Sequence, residues 1–463
     1  MRSALRRALA LAVAAAASGC LVGPNYERPP VETPTNYGEP TAAPGGQAAV
    51  DLEWWKLFGD PTLTALEEEA RGANQDLQLA IARVDEARAT ARVTESFFFP
   101  TVTLDPSFEA SRDSANGPTP ATPRHSTDYS VPFDLSYEVD LWGRVRRSFE
   151  SSTADARAAE NDFGVVELTL AADVAAQYFA IRSLDAQSAT LAESVAVFTD
   201  QLRVVDARYR AGIVSELDLA QAKTQLANTL ASQADVRRQR AESEHALAVL
   251  CGRPASDFSV PVETLVIAPP EIPAGVPSEL LQHRPDVLEA EQRLVAANAE
   301  VGVADALFFP QLRLTGAAGL QSVDSGDLLQ WESRAWAVGP SVSVPVFEGG
   351  RLRANLSGAQ ARYDQQVAAY RQTVLGAFRD VEDALVGVRL RADQADAIAD
   401  ASSSSQRAAD IARSQYDHGI SDYLQVVVAQ ATHLQLELQD AQVRQAQLDA
   451  AVQLVKAIGG GWY

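Results

Sequence analysis

Side chains that could carry out chemistry are few in this chain of 463 residues, and they are scattered along it. The histidines, which show no metal-ligand spacing, are His125, His245, His283, His418 and His433. Cys251 lies beside Gly252 at the end of a predicted helix and is expected to be a buried apolar residue. The sequence contains no phosphate-binding loop and no nucleophile elbow. We therefore predict that the protein is not an enzyme and binds no metal.

Cys20 is the one side chain whose surroundings indicate a modification. Residues 1–19 combine three arginines with an apolar run from Ala8 to Ala17, which is typical of an export signal and too short to span a bilayer. The letters SGC match the last three positions of the bacterial lipobox, although Ala17 stands where leucine is usual. We predict cleavage before Cys20 and attachment of lipid to it. The alternative is an ordinary signal followed by an incidental cysteine.

The net charge of the chain is −22, from 39 basic and 61 acidic residues. Loss of the export signal removes three arginines, so 36 basic residues remain and the charge becomes −25. Such an acidic chain repels phosphate backbones, and we predict no nucleic-acid partner. Residues 20–60 are rich in Pro, Gly, Thr and Glu and are predicted to form an extended, lipidated N-terminal segment on the surface.

Long helices are predicted where proline is absent. None of the 23 prolines lies in residues 133–253 or after Pro345, and proline breaks helices. Both windows are rich in good helix formers, and their apolar residues recur at spacings of three and four, as in a coiled-coil seam. One stripe comprises Val427, Ala431, Leu434, Leu438, Ala441, Gln445, Leu448, Val452 and Val455. The other comprises Tyr363, Val367, Tyr370, Val374, Ala377, Val381, Ala384 and Val388.

A glycine marks a chain reversal in each window, and the two copies align. The stretch RYRAGIVSELDL around Gly212 matches QYDHGISDYLQV around Gly419 at an offset of 207 residues, so that Tyr209 aligns with Tyr416. The chain is therefore predicted to contain an internal duplication. In each copy we expect a helix of about 60 residues, the glycine turn and a helix of about 35, the longer one extending roughly 90 Å.

Apolar and polar residues alternate in four segments, which is typical of β-strands with two different faces. In chain order they are TVTLDPSFEA, DYSVPFDLSYEVDL, QLRLTGAAGL and WAVGPSVSVPVF. In DYSVPFDLSYEVDL every second residue from Tyr129 to Leu141 is apolar. In WAVGPSVSVPVF, the residues that fall on one side are Trp336, Val338, Val342, Val344 and Val346. The predicted parts are a first repeat over 61–260 with a β-hairpin at 101–141, and a second repeat over 261–463 with a β-hairpin at 311–347.

Three observations favour a membrane location for these strands over the alternative, a soluble sheet packed on a core. The chain carries a predicted export signal, aromatic residues cluster at strand ends, and no helices are expected to cover the strands except the long ones, which point elsewhere. The residues predicted to lie at the membrane interface are Phe97, Phe98, Phe99, Trp142, Phe308, Phe309 and Trp336. Four strands cannot close a barrel, so copies of the chain would have to associate to complete the sheet.

Four stretches of the sequence together resemble the TolC-like outer-membrane efflux proteins, in the lipoprotein branch that serves RND-type tripartite pumps. They are CLVGPNYERP, WWKLFGDPTLTALEEEARGANQDLQLAIARVDEARA, HRPDVLEAEQRLVAANAEVGVADALFFPQLRLTGAAG and FEGGRLRANL. The resemblance implies a mainly α fold with a small transmembrane β part. Long helices would form a periplasmic α-barrel, and four strands per chain would contribute to a trimeric 12-stranded outer-membrane β-barrel.

The resemblance also implies a function and partners. A lipid-anchored homotrimer in the outer membrane would export small molecules such as drugs passively, without a cofactor. It would work with a periplasmic adaptor protein and an inner-membrane RND-type pump. Two alternatives remain: a type I secretion conduit, and an exported coiled-coil fibre or adhesin. The lipid anchor favours the pump branch over the first, and the second leaves the duplication and the hairpins unexplained.

In the family that the sequence resembles, the two glycine turns form the periplasmic entrance. The expected tip and gate residues are Tyr209, Gly212, Asp218, Tyr416, Gly419, Asp422, Gln425 and Val428. Gln425 and Val428 stand where many members carry aspartates, which puts a cation-selective gate in doubt. Asp218 and Asp422 remain as acidic residues. Their alternative role is to cap a helix or to place charge in its first turn.

The lipidation of Cys20 can be tested by intact mass spectrometry of the purified mature protein. We expect a chain that begins at Cys20 and carries the added mass of its lipid. A Cys20→Ala variant should lose that mass. A mature chain that starts elsewhere, or an unmodified Cys20 thiol, would contradict the prediction.

Overall fold

The computed structural model of the chain describes residues 21–39, 53–116, 125–264, 267–272 and 277–461. Cys20, the predicted lipidation residue, lies outside the described residues. The helices are α1 (Pro61–Ala73), α2 (Gln75–Ser96), α3 (Arg144–Arg210), α4 (Glu216–Leu250), α5 (Pro277–His283), α6 (Pro285–Ala306), α7 (Arg351–Asp417) and α8 (Tyr423–Ala457). The strands are β1 (Thr101–Leu104), β2 (Ser107–Arg112), β3 (His125–Val139), β4 (Gln311–Ser322) and β5 (Arg334–Ser343).

The lengths of the helices reproduce the internal duplication. Helices α3 and α7 have 67 residues each, α4 and α8 have 35 each, and α2 and α6 have 22 each. A helix of 67 residues is on the order of 100 Å long at 1.5 Å per residue. Every residue of the two predicted stripes is buried or half-buried except Val388, which is 37% exposed. The spacing of three and four therefore identified the packing faces of the helices.

All five strands belong to one antiparallel sheet with the order β1/β2, β3, β4, β5. The two hairpins are joined because β3 pairs with β4 over eleven residue pairs, from Tyr129↔Ser322 to Val139↔Leu312. The first predicted strand is interrupted at Asp105 and Pro106, since a proline has no N–H for the ladder. The second hairpin ends its strand at Ser343, so Val344 and Val346 lie beyond the sheet.

The chain divides into two compact units. One holds residues 1–30, 83–160 and 289–370, and includes the sheet; the other holds 31–82, 161–288 and 371–463. The second unit has a large apolar core in which Trp54, Trp55, Tyr178 and Phe179 are almost fully buried. Cys251 belongs to this core as predicted, and burial raises the pKa of its thiol to about 12.

The predicted extended segment 20–60 is extended only in part. Residues 21–39 contain no helix or strand, whereas Trp54–Phe58 form a short 3-10 helix. Both tryptophans of this turn are 1% exposed and Phe58 is buried, so these three rings belong to the core and not to a surface linker. The aromatic rings outweigh the polar composition around them, because burying each large ring stabilises the fold by a few kcal/mol.

Polar residues of the WWKLFGDP stretch and its continuation hold this core in place. Asp60 caps α1 by accepting from the N–H groups of Thr62 and Leu63, and it accepts a 2.5 Å hydrogen bond from the Tyr178 hydroxyl. Asn74 accepts from the Leu77 N–H at the start of α2 and donates to the Leu250 carbonyl at the end of α4. These residues therefore join local helix capping to long-range packing.

Glu67 is a carboxyl group inside this core. Its side chain is 0% exposed, and neither oxygen has a hydrogen-bond partner among the described residues. Arg71 on the same helix pairs with Glu167 instead, at 2.6 Å. Burial therefore raises the pKa of Glu67 to about 9, a shift that the nearby Arg71 charge only partly offsets.

The raised pKa of Glu67 predicts a pH-dependent stability. The folded state holds a proton that the unfolded state releases above its ordinary pKa, so stability should fall as pH rises from about 5 towards 9. Glu67→Gln should remove a slope of at most about 1.4 kcal/mol per pH unit. Chemical unfolding of the detergent-solubilised protein at pH 5, 6.5 and 8 measures this. Glu68→Gln, at an exposed neighbour, is the control, and equal pH profiles for the two variants would refute the assignment.

Candidate functional site: the uncovered sheet and the helical turns

The sheet has one apolar and one polar face, and the strand register defines both. The apolar face comprises Val102, Leu104 and Phe108; Tyr129, Val131, Phe133, Leu135, Tyr137 and Val139; Leu312, Leu314, Gly316, Ala318 and Leu320; and Trp336, Val338, Pro340 and Val342. The polar face carries residues such as Thr103, Asp134, Ser136 and Thr315. The alternation predicted from sequence is therefore confirmed, with small residues such as Ala317, Ala337 and Gly339 also on the polar face of β4 and β5.

None of the described residues forms a core over the apolar face. Not one residue of the five described strands is buried. Phe133 is 56% exposed and Val338 is 74% exposed. In water such a continuous apolar surface is unfavourable, because soluble chains rarely expose large apolar patches. A soluble sheet packed on its own core is thereby excluded.

The two outer strands also leave their edges open. Strands β1 and β2 pair only with β3, and β5 pairs only with β4, among the described strands. Each open edge presents a row of backbone N–H and C=O groups without partners. In a membrane each such group costs several kcal/mol, so only a closed barrel can hold this sheet there.

Aromatic side chains mark the junctions where helices meet the sheet. The Trp142 ring stacks on Phe309 with 4.8 Å between ring centroids, and its indole N–H donates to the Pro310 carbonyl at 2.8 Å. Phe98 packs edge-to-face on Phe149 at 5.5 Å. Phe97 and Phe99 are exposed, and Phe308 is half-buried. These rings lie in or beside the motifs FFFP, at residues 97–100, and LFFP, at residues 307–310. In each motif a proline separates the end of a helix from the start of a strand.

Trp336 lies apart from the other predicted interface residues. It is near the start of β5, which is the loop end of the sheet, and it is 76% exposed on the apolar face. The other six residues lie at the helix end. The predicted aromatic residues thus flank both ends of the apolar face, as at the two surfaces of a bilayer.

The segment after Cys20 is bound at the same helix end of the sheet. The Val22 N–H donates to the Trp142 carbonyl at 3.1 Å, and the side chain of Leu21 lies over Gly143. Arg147, which is 1% exposed, donates to the carbonyls of Val22 and Gly23. Sequence reasoning missed this site, because a polar, proline-rich segment shows no periodicity that would indicate where it binds.

Residues of the HRPDVLEAEQRLVAANAE stretch bind the next part of this segment. Asn298 donates to the Pro24 carbonyl at 3.0 Å. Glu291 accepts two hydrogen bonds from Arg28, at 2.7 and 2.6 Å, and one from the Tyr26 hydroxyl. The polar residues of this family-like motif thus hold the N-terminal segment and do not line a reactive site.

The two glycine turns have the same backbone structure. Gly212 and Gly419 both have φ +72°, a left-handed conformation that favours glycine. In the first turn the N–H of Ile213 reaches the Arg208 carbonyl, and in the second that of Ile420 reaches the Gln415 carbonyl. Both turns are therefore Schellman motifs, which end α3 and α7.

The helices that follow the turns start differently in the two copies. Ser215 and Asp218 form a capping box in which each side chain accepts from the other's backbone N–H, at 3.3 and 3.1 Å. The aligned residues in the second copy are Asp422 and Gln425. Asp422 occupies the cap position of α8, but its side chain makes no capping hydrogen bond. Asp218 therefore caps a helix, which is one of its two expected roles. The Asp422 carboxylate makes no such hydrogen bond at the start of α8.

The aligned tyrosines also lie in different surroundings. Tyr209 is 38% exposed, whereas Tyr416 is half-buried, with its ring 5.3 Å from that of Tyr423 and 5.2 Å from the Arg208 guanidinium. Gln425 is exposed, and Val428 is 57% exposed. The predicted tip residues therefore lie at the two turns.

A metal centre does not emerge from the geometry. Within the described ranges, no group of three His, Cys, Asp or Glu side chains is arranged to hold a metal ion.

Comparison with known proteins agrees with this architecture. The sequence profile of the outer membrane efflux protein family matches residues 66–253 and 276–460. The chain belongs to the outer membrane efflux protein family. The solvent efflux pump outer membrane protein SrpC of Pseudomonas putida is 32% identical over 450 residues, which span 96% of each chain.

Two further relatives extend this finding to fold. Outer membrane protein OprJ of Pseudomonas aeruginosa is 32% identical over 465 residues, which span 98% of this chain and 95% of OprJ. The solved structure of the Campylobacter jejuni CmeC outer membrane channel matches with a TM-score of 0.89 at 25% identity, covering 96% of this chain and 95% of that one. The predicted TolC-like fold, with α-barrel and β-barrel parts, and the outer-membrane location are confirmed. Outer membrane efflux proteins are transport conduits and not an enzyme family.

The difference between the two caps predicts different effects of equivalent substitutions. Asp218→Ala should weaken the first turn of α4 by about 1 kcal/mol, because it removes half of the capping box. Hydrogen exchange of the amides in residues 216–220 should become about fivefold faster. Asp422→Ala should leave exchange in the first turn of α8 nearly unchanged. Equal acceleration in both turns would contradict the geometry.

Proposed function

We propose that this outer membrane efflux protein is the passive exit channel of a tripartite pump of the RND type and works as a lipid-anchored homotrimer. The observation that carries the proposal is the open-edged sheet with an uncovered apolar face. Three copies would supply twelve strands, enough for a closed barrel with a polar lumen. The apolar face would contact lipid, and small toxic molecules or drugs would pass along the polar face.

Apolar residues at the helical turns support docking of a periplasmic adaptor there. Ile213 and Ile420 are 72% and 75% exposed, and Leu217 and Leu424 are 64% and 51% exposed. These are aligned positions of the two repeats, so each chain presents the same pair twice. Exposed apolar side chains at matching positions are typical of a protein-interaction surface. A helical adaptor that contacts both turns of each chain would cover them.

The bound N-terminal segment supports lipidation of Cys20. Leu21 and Val22 lie at Gly143 and Trp142, beside the stacked pair Trp142–Phe309. A lipid attached one residue earlier would enter the membrane next to an aromatic interface, where acyl chains begin. The lipid anchor would thus enter the same leaflet that surrounds the helix end of the sheet.

Channel formation can be tested in planar lipid bilayers. Wild-type protein should produce discrete conductance steps, and native mass spectrometry should give the mass of three chains. Phe133→Arg places a charge in the middle of the apolar face and should reduce insertion events at least tenfold, since such a charge costs about 2–4 kcal/mol per copy. Ser136→Arg, on the polar face, is the matched control and should still insert. A stable monomer without conductance would overturn the proposal.

A further inference from the structure

Charge is distributed unequally between the two faces of the sheet. On the apolar side of the described strands, the only residues with a permanent charge are Arg112 and Arg334. In the strand register they lie opposite His125 and Leu320 respectively. No acidic residue lies on that side. The charged residues of the polar face are Glu109, Asp128, Asp134, Glu138 and Arg313. Although the chain as a whole is acidic, the permanently charged residues on this side of the described strands are both arginines.

Both arginines lie at the loop end of the sheet. Arg112 is the last residue of β2, and Arg334 is the first residue of β5. This is the end away from the junctions with α2, α3, α6 and α7. If the helices are periplasmic, as the proposed function requires, the loop end faces the outer leaflet of the outer membrane.

Each arginine follows an aromatic residue towards the loop end. On β2 the order is Phe108, Ala110, Arg112, and the Phe108 ring packs on Tyr129 at 4.8 Å. On β5 the order is Trp336 and then Arg334, whose guanidinium lies over the ring of Trp331. This order matches a lipid molecule, whose acyl chain would lie beside the aromatic ring and whose headgroup would lie beside the basic group.

Neither guanidinium has an ion-pair partner among the described residues, and both side chains are exposed. The Arg334 side chain donates only to the Trp331 carbonyl, at 2.9 Å. By contrast, Arg144 at the helix end forms two hydrogen bonds with Glu138, at 2.7 and 2.9 Å. Arginine presents a planar fork of donors that suits a phosphate group. Both guanidinium groups are therefore free to bind an anion from outside the described part of the chain.

We propose that Arg112 and Arg334 bind the phosphate groups of anionic lipid in the outer leaflet. The guanidinium groups donate to phosphate oxygens, while Phe108, Trp331 and Trp336 contact the upper part of the acyl chains. The lipid thereby completes the rim of the apolar face. The inference rests on the proposed function for its orientation, and it assigns to two named residues a ligand class that the channel function does not require.

The test uses the full lipidated protein in detergent, titrated with lipid A that carries two phosphates or with the same lipid after enzymatic dephosphorylation. Native mass spectrometry counts the bound lipid molecules. Wild-type protein should prefer the phosphorylated form. Each Arg→Gln substitution at 112 or 334 should weaken that preference about fivefold, and the double variant about 25-fold, since each basic residue near the surface contributes about a factor of five.

Arg313→Gln is the matched control, because it removes the same charge from the polar face of β4. It should leave the lipid preference unchanged, and inorganic phosphate at 10 mM should not displace the lipid. An equal loss in Arg313→Gln, displacement by inorganic phosphate or no preference in wild type would overturn the proposal. Conductance is recorded on the same samples, so a channel without lipid preference refutes this inference alone, whereas a protein without conductance refutes the proposed function.

Discussion

Backbone hydrogen bonding at the two open edges of the sheet is the constraint on which the rest of the structure depends. One chain supplies four strand positions, and its outer strands have no partners there. The helices do not cover the sheet, because no strand residue is buried among the residues that the structure describes. Closure must therefore come from other copies, and the apolar face must be covered by lipid.

Because of the duplication, the chain contains the same set of helices and turns twice, and the two copies differ at a few positions. Helix lengths, glycine turns and FFP junctions repeat. The first turns of α4 and α8 do not: Ser215 and Asp218 cap one helix, whereas Asp422 caps the other without a side-chain hydrogen bond. The second turn therefore carries Asp422 without a capping hydrogen bond, together with the exposed Gln425 and Val428.

Local patterns in the sequence predicted the parts of the fold that follow from periodicity. The proline-free windows became helices, the 3–4 stripes became packing faces, and alternation gave the two faces of β3. Three features could not be predicted in this way: the pairing of β3 with β4, the burial of Trp54 and Trp55, and the binding of residues 22–28 by Arg147, Asn298 and Glu291. Each depends on contacts between residues more than 100 positions apart, which no local pattern records.

Disulfide cross-linking across the sheet edges tests the central claim most directly. Cysteine is placed at Ser341 on β5 and, in the same chain, at Thr101, Thr103 or Ser107 on the opposite edge; native Cys251 is buried. After oxidation in outer membranes and blocking of free thiols, at least one pair should give covalent species of two and three chains and none larger, while each single substitution gives one chain. Only single chains from every pair, or ladders beyond three, would contradict a sheet that closes with two further copies.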